Sequence, residues 1–190
     1  MNIISKTKFL EFKSAKSPTG KDWYYTKRTN DTNKHDSAVV ITTLVKKDNE
    51  YHFLLIKTVR PPLYAENKSK YCLESPAGLI GDKNCEESMI KCAKKELLEE
   101  AGLIADKFYI ELENSASSAG VTSETLSYVT AIVNKYNLES KPLDDGGIII
   151  DRFLVPAKEI YNYLKEIDTK EISIAAATVC GIFYALERIK

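Results

Sequence analysis

Three glutamates that could hold a metal ion lie within one short segment of the chain. Glu96, Glu99 and Glu100 stand three and four positions apart in the segment K-E-L-L-E-E-A-G-L, residues 95–103. At helical spacing their side chains leave one face of a helix together, where like charges repel one another. A divalent cation such as Mg2+ or Mn2+ prefers oxygen ligands and would relieve that repulsion. The alternative is a solvated acidic face paired with lysines one turn earlier, and the spacing alone leaves both readings open.

The element that must position these carboxylates is an amphipathic helix, which we predict over residues 87–101. Gly102 follows the last apolar position and is typical of a helix end. The other positions of the segment are polar or charged, so that one face of the helix is predicted to pack on a core. The apolar residues that recur at helical spacing are Met89, Ile90, Ala93, Leu97 and Leu98.

The segment around this helix resembles the Nudix box, G-x5-E-x7-R-E-U-x-E-E-x-G-U, in which U is an aliphatic residue. Lys95 stands in place of the box arginine. The preceding E-x-P-A-G segment, residues 74–78, resembles the branch of the family that cleaves ADP-ribose and related ADP-sugars. If the box glycine is Gly78 rather than Gly81, the loop to Glu87 is three residues longer than usual. The residues that match the box are Gly81, Glu87, Glu96, Leu97, Glu99, Glu100, Gly102 and Leu103.

The resemblance implies the set of residues that bind the metal and support catalysis. The carbonyl of Ala77 and the carboxylates of Glu96 and Glu100 are the implied ligands of Mg2+, with Mn2+ as a possible substitute. Glu99 would assist them. Lys95 would orient the neighbouring glutamates, although lysine lacks the two-pronged fork of the arginine that it replaces.

A second loop resembles the S-P-G-x-(T/S)-x-E segment that carries the general base in bacterial ADP-ribose pyrophosphatases. In this chain it reads S-A-G-V-T-S-E, residues 118–124, with Ala119 in place of the proline. Glu124 is therefore the candidate base. The alternative is that Glu124 is an ordinary loop carboxylate.

The resemblance extends over most of the chain through the segments K-F-L-E-F, P-T-G-K, W-Y-Y-T-K-R-T and V-R-P-P. It implies that Trp23 and Phe9 stack on the adenine, and that Arg28 and Arg60 bind near the diphosphate and the terminal sugar. Arginine suits phosphate because its planar group makes two hydrogen bonds at once. The alternatives are hairpin core positions for the aromatic residues and surface positions for the arginines.

The remaining pattern predicts an α/β protein with a sheet between helices, preceded by a small N-terminal β-hairpin. The resemblance implies that this fold is a Nudix-type α/β/α sandwich with a mixed sheet. We predict the hairpin over residues 7–29, within an N-terminal region 1–36, and the hydrolase domain over residues 37–190. A hairpin of this size is unstable alone, so it must lie on the main body or on a second subunit. The resemblance adds base stacking and dimerisation to this region and implies a homodimer. The predicted strands are 38–44, 51–59, 71–74, 107–113, 125–133 and 148–155, and the later helices are 157–167 and 172–189.

Composition narrows the function classes. The 190 residues contain 27 basic and 27 acidic side chains, so no basic field favours nucleic acid as a partner. Four scattered cysteines and two histidines form no zinc pattern, and no apolar run is long enough for a membrane helix. The composition favours a cytoplasmic protein, and the family resemblance implies an enzyme that hydrolyses ADP-ribose, or a related ADP-sugar, to AMP and a sugar phosphate. The alternatives are another nucleoside diphosphate sugar or dinucleotide as substrate, and a nucleotide-sensing domain without turnover.

Overall fold

A computed structural model describes residues 1–29, 37–81, 87–135 and 148–190. These ranges form a three-stranded N-terminal sheet and an eight-stranded main sheet with helices on both faces. The predicted α/β class, with a mixed sheet preceded by an N-terminal hairpin, is confirmed. Residues 30–36 lie outside the described residues, so the boundary between the N-terminal region 1–36 and the hydrolase domain 37–190 stays a prediction.

The N-terminal sheet contains β1 (Asn2–Lys6), β2 (Leu10–Lys16) and β3 (Asp22–Arg28), which pair in that order and antiparallel. The hairpin of β2 and β3 turns at Gly20, whose φ of 82° suits glycine. The strand β1 was not predicted. It carries a bulge between Ile3 and Ser5, which interrupts the alternation that would have revealed it.

The main sheet is mixed, because β4 pairs parallel with β9, β6 pairs parallel with β11, and the other pairs are antiparallel. Its main path runs β11-β6-β5-β4-β9-β8, with β10 beside β5 and β7 beside β4. The strands are β4 (Ser37–Lys47), β5 (Glu50–Thr58), β6 (Tyr71–Glu74), β7 (Ala77–Leu79), β8 (Lys107–Ala116), β9 (Thr125–Val133), β10 (Ile149–Pro156) and β11 (Ile172–Ile174).

Helices cover both faces of this sheet. The helices are α1 (Pro61–Ala65), α2 (Met89–Ala101), α3 (Ile160–Ile167) and α4 (Ala176–Glu187). Alternate residues of β4 face opposite layers, with Ile41 packed in the cluster that includes α2 and Leu44 in the cluster that includes α3 and α4. Because both faces are covered, β4 is an almost continuous buried run. No helix in the described ranges is both long enough and apolar enough to cross a membrane.

A fork between β4 and β5 creates the region where the predicted site residues lie. The two strands pair at one end, with Thr43 opposite Leu54, and then diverge. Beyond that point β7 pairs with the first half of β4, and β6 pairs with the second half of β5. Pro76, between β6 and β7, accepts a hydrogen bond of 2.8 Å at its carbonyl from the N–H of Ile41. The E-x-P-A-G segment is thereby fixed inside the fork.

Helix α2 is fixed at both ends. Ser88 caps the first turn by accepting a hydrogen bond from the N–H of Lys91. Gly102 ends the helix with a left-handed φ of 68°. The guanidinium of Arg152 donates to the carbonyl of Ala101, so a positive charge lies at the negative end of the helix dipole. These contacts hold the predicted carboxylates against the sheet.

The C-terminal elements differ from the prediction of one long helix over residues 172–189. Residues 172–174 form β11, because parallel pairing with β6 satisfies their backbone, and α4 begins only at Ala176. Helix α3 begins at Ile160 rather than at residue 157, and the short helix α1 was not predicted. Strand β8 extends three residues beyond its predicted end.

The sequence of the last helix contains an apolar stripe whose members are predicted to face the core, and this prediction is largely wrong. The stripe consists of Ala176, Val179, Cys180, Phe183 and Leu186. Val179 and Phe183 are 47% and 62% exposed, whereas the buried residues of α4 are Thr178, Gly181, Ile182 and Ala185. The reason is a close approach of the helix to β4: a Cβ at Gly181 would lie 2.1 Å from Oγ1 of Thr42. Small residues therefore face the sheet, and larger apolar residues lie outside.

Candidate active site

The inner face of α2 meets β7 at the predicted metal-binding residues. A Cβ at Gly78 would lie 2.2 Å from Cδ of Glu96, so only glycine lets the buried Glu96 side chain approach the strand. One turn further along the helix, Oε2 of Glu100 accepts a hydrogen bond of 2.9 Å from the N–H of Ala77. The fold thus brings together Ala77, Glu96 and Glu100.

The carboxyl group of Glu100 is in an unfavourable environment for a bare negative charge. Its pKa is raised to about 8, mainly by burial and also by the charge of Glu96, against the lowering effect of the hydrogen bond from the Ala77 N–H. The nearby charge of Arg60 also lowers the pKa. A buried acid next to a second carboxylate is an arrangement that a cation would stabilise.

Lys95 connects two glutamates of the Nudix box. Its Nζ lies 3.1 Å from Oε1 of Glu96 and 3.5 Å from Oε2 of Glu87. Glu87 also accepts a hydrogen bond of 3.3 Å from the N–H of Gly81, whose φ of 79° is left-handed. Both candidate box glycines therefore contact a glutamate of the box. Gly81 donates its N–H to Glu87, and Gly78 lies against the side chain of Glu96.

Arg60 is held beside this site by a residue that the sequence analysis did not place there. Oε2 of Glu74 accepts hydrogen bonds from Nε of Arg60 at 2.8 Å and from the hydroxyl of Thr58 at 2.6 Å. The charges of Arg60 and Glu74 both influence the pKa of Glu100. The E-x-P-A-G pattern contained the signal, since Glu74 is its first residue.

The candidate base lies against the N-terminal sheet. Oε1 of Glu124 accepts a hydrogen bond of 2.5 Å from Nε of Arg28, the last residue of β3. Thr125 begins β9 opposite Ser37, while Leu79 of β7 pairs with Ala38 on the other side of β4. Neighbouring strands are about 4.8 Å apart, so the end of this loop stands roughly 10 Å from the end of β7.

The two aromatic residues predicted to stack on adenine are both exposed but lie far apart in one chain. Trp23 is 53% exposed and Phe9 is 63% exposed, so neither is a core residue. The carbonyl of Phe9 accepts a hydrogen bond from the N–H of Thr29, six residues beyond Trp23 along the chain. At about 3.3 Å per residue, this separation is roughly 20 Å. One chain therefore does not bring the two rings together.

The residues present fit a hard divalent cation. Two carboxylates and a backbone carbonyl are oxygen donors, and Mg2+ usually takes a few such donors together with water and substrate phosphates. No group of three acidic, histidine or cysteine side chains that could hold a metal by themselves occurs in the described ranges. Glu99, the predicted helper, is half-buried on α2. The polar lining and the raised pKa of Glu100 are the observations that support a cation here.

Comparison with known proteins finds similar sequences and structures, although no family model matches the chain. An uncharacterized Nudix hydrolase of Schizosaccharomyces pombe is 28% identical over 160 residues, which cover 80% of this chain and 71% of that protein. The ADP-sugar pyrophosphatase of Mus musculus is 26% identical over 194 residues, covering 97% of this chain and 84% of that protein. A solved ADP compounds hydrolase has the same fold, with a TM-score of 0.68, 21% identity and coverage of 99% of this chain and 90% of the other.

The fold, a mixed sheet with helices on both faces, is similar to that of solved Nudix structures. The sequence relatives confirm the predicted resemblance to the Nudix hydrolase family and, with it, the prediction of an enzyme of that type. Similarity to the mouse ADP-sugar pyrophosphatase extends over nearly the whole chain, including the N-terminal sheet.

Proposed function

We propose that this protein hydrolyses ADP-ribose, or a related ADP-sugar, in a reaction that depends on Mg2+ and yields AMP and a sugar phosphate. The observation that carries this proposal is the convergence of Ala77, Glu96 and Glu100 at the β7–α2 contact. Similarity to a mouse protein named for ADP-sugars and to a solved ADP compounds hydrolase supports the substrate class.

The reaction is attack of water on one phosphorus of the diphosphate, with cleavage of the bond from that phosphorus to the bridging oxygen. The carboxylates of Glu96 and Glu100 and the carbonyl of Ala77 would hold the metal. When bound, Mg2+ would neutralise the phosphate oxygens and make an attacking water more acidic. Glu99 would assist this set.

The other charged residues of the site have separate roles in the proposal. Lys95 keeps the carboxylate of Glu96 in place through its ion pair. Glu124 takes the proton from the attacking water. Arg28 pairs with Glu124, and Arg60 pairs with Glu74. In the proposal, the planar groups of the two arginines bind the diphosphate and the terminal sugar.

Recognition of the adenine would use Trp23, with Phe9 from a second copy. The exposed indole and the separation of the two rings in one chain support this arrangement. A homodimer would also cover apolar side chains that the N-terminal sheet exposes, including Leu10, Phe12 and Tyr24. A cytoplasmic location remains part of the proposal.

The test is a substrate panel with Mg2+ that compares ADP-ribose, other nucleoside diphosphate sugars and dinucleotides, with detection of the released nucleotide and phosphate. Preferred turnover of ADP-ribose or another ADP-sugar supports the proposal. Preferred turnover of a non-adenine sugar nucleotide, or of a dinucleotide, contradicts the substrate class. Binding of ADP-ribose without turnover would identify a nucleotide-sensing domain, a class that the intact box carboxylates Glu96, Glu99 and Glu100 disfavour.

A further inference from the structure

Strand β3 contacts the loop of residues 118–124 along most of its length. At one end, the indole Nε1–H of Trp23 donates a hydrogen bond of 3.1 Å to the carbonyl of Gly120. In the middle, the N–H of Thr26 donates to Val121 at 2.8 Å, and the carbonyl of Thr26 accepts from Ser123 at 3.1 Å. At the other end, Arg28 pairs with Glu124. The loop is thus attached to the N-terminal sheet at three places.

These contacts join segments about 95 residues apart. The base of the loop is closed by a hydrogen bond of 3.1 Å from the N–H of Ser117 to the carbonyl of Glu124. Within the loop, the N–H groups of Val121 and Thr122 both bond to the carbonyl of Ser118, which sets a local turn and does not orient the loop relative to the sheet. Glu124 immediately precedes β9, which holds its backbone at the main sheet, and Arg28 of β3 pairs with its carboxylate, so the position of β3 influences where that carboxylate points at the edge of the active site.

We propose that β3 positions the loop of residues 118–124, and that Trp23 is a positioning residue for Glu124 through its indole N–H. This inference rests on the proposed function, because it takes Glu124 as the base of the reaction. It gives Trp23 a role besides stacking on a base. Stacking uses the faces of the ring, whereas the hydrogen bond uses its edge, so both are compatible in one side chain.

Two variants separate the edge of the ring from its faces. Trp23→Phe keeps an aromatic ring but removes the N–H donor. Tyr24→Phe is the matched control, because Tyr24 is a neighbouring aromatic residue of similar exposure, 55%, that packs on Phe12, with ring centroids 6.0 Å apart. Each variant is compared with the parent by hydrogen–deuterium exchange of residues 118–124 in the absence of substrate and by steady-state kinetics with ADP-ribose and Mg2+.

Loss of the indole donor should accelerate amide exchange in the loop roughly threefold to tenfold, since a hydrogen bond of this type contributes modestly to local stability. We expect kcat of Trp23→Phe to fall about tenfold while KM changes less than about threefold, the pattern of a defect in the transition state rather than in ground-state binding. Tyr24→Phe should match the parent in both measurements.

An unchanged rate of amide exchange in residues 118–124 of Trp23→Phe would overturn the inference, because the hydrogen bond would then not stabilise the loop. Faster exchange with unchanged kcat would also overturn it, because the position of the loop would not matter for the reaction. If the parent protein hydrolyses no member of the substrate panel, the proposed function fails. The exchange experiment, which needs no substrate, then decides by itself whether Trp23 anchors the loop.

Discussion

The Nζ atom of Lys95 lies 3.1 Å from Oε1 of Glu96, the carboxylate that backs onto Gly78. The lysine side chain is only 19% exposed and also reaches Glu87. Lys95 therefore lies inside the site, at the position where the box has arginine. It is an internal partner of two carboxylates rather than a solvated surface charge.

This contact predicts the order of activities of two variants. Lys95→Arg should retain or raise activity, because arginine keeps the charge and adds the fork that pairs with two carboxylates. Lys95→Ala should lower kcat about tenfold or more, because Glu96 loses its orienting partner. Steady-state kinetics with Mg2+ measure both. Equal activity in the parent and both variants would show that the ion pair has no part in turnover.

Glu100→Gln keeps the shape of the side chain but removes its charge and its titration. We expect metal-dependent turnover to fall by orders of magnitude, because a proposed metal ligand is lost while the fold remains. Circular dichroism checks the folding of the variant, and substrate turnover across a range of Mg2+ concentrations checks its activity. A variant with parent-like turnover would contradict the assignment of Glu100 to the metal.

Glu100 should also make the free energy of unfolding depend on pH. The pKa of folded Glu100 is raised from 4.5 to about 8, so between these values the folded chain holds a proton that the unfolded chain does not. In EDTA, the free energy of unfolding should therefore fall as pH rises through this window, by at most about 1.4 kcal/mol per pH unit from this group. Mg2+ competes with the proton, so its stabilising effect should increase with pH. Denaturant titrations measure both trends, and Glu100→Gln should lack this contribution.

Gly78→Ala should disturb the metal site through a steric contact. The added Cβ would lie 2.2 Å from Cδ of Glu96, so the carboxylate or the strand must move. We expect a lower unfolding temperature and about a tenfold higher Mg2+ requirement. Adding Glu96→Asp, which shortens the opposing side chain, should recover stability without recovering activity. Additive losses of stability in the double variant would mean that the two residues do not meet.

Trp23→Ala removes both the ring and the indole donor. Loss of base stacking is worth about 1–3 kcal/mol in single-stranded nucleic-acid complexes, so KM for ADP-ribose should rise about tenfold to a hundredfold, while kcat should fall about tenfold, as in Trp23→Phe. Because Trp23 is the only tryptophan, intrinsic fluorescence reports on it directly. AMP should change this fluorescence, and ribose 5-phosphate should not. An unchanged KM with no response to AMP would exclude stacking at Trp23.

The exposed apolar side chains of the N-terminal sheet predict a homodimer at micromolar concentration. Static light scattering measures the mass directly. Phe12→Glu, which places a charge on this surface, should shift the protein toward monomer. Tyr161→Glu is the matched control, because Tyr161 is 68% exposed on α3 in the main domain and should leave the mass unchanged. A fully active monomeric parent would contradict the prediction.

The local sequence pattern was sufficient to predict the elements in which all residues on one face lie in the same environment. The strand over Thr125–Val133 was predicted with its bounds because the run is rich in β-branched residues, and in the structure it is buried almost throughout. The helix that bears Glu96 and Glu100 was predicted because its charged and apolar positions separate at helical spacing and Gly102 ends it. In both cases neighbouring residues in the chain carry the information.

Only the tertiary structure decided which side chains meet. The ion pairs of Glu74 with Arg60 and of Glu124 with Arg28 join residues 14 and 96 positions apart, and no local periodicity encodes such partners. The same applies to α4, where hydrophobicity favoured Val179 and Phe183 as the inner face. The helix instead packs through Gly181, because its backbone lies against Thr42 and a larger residue would not fit. Close packing depends on the distance between elements, and that distance is set by the whole fold rather than by the sequence of either element.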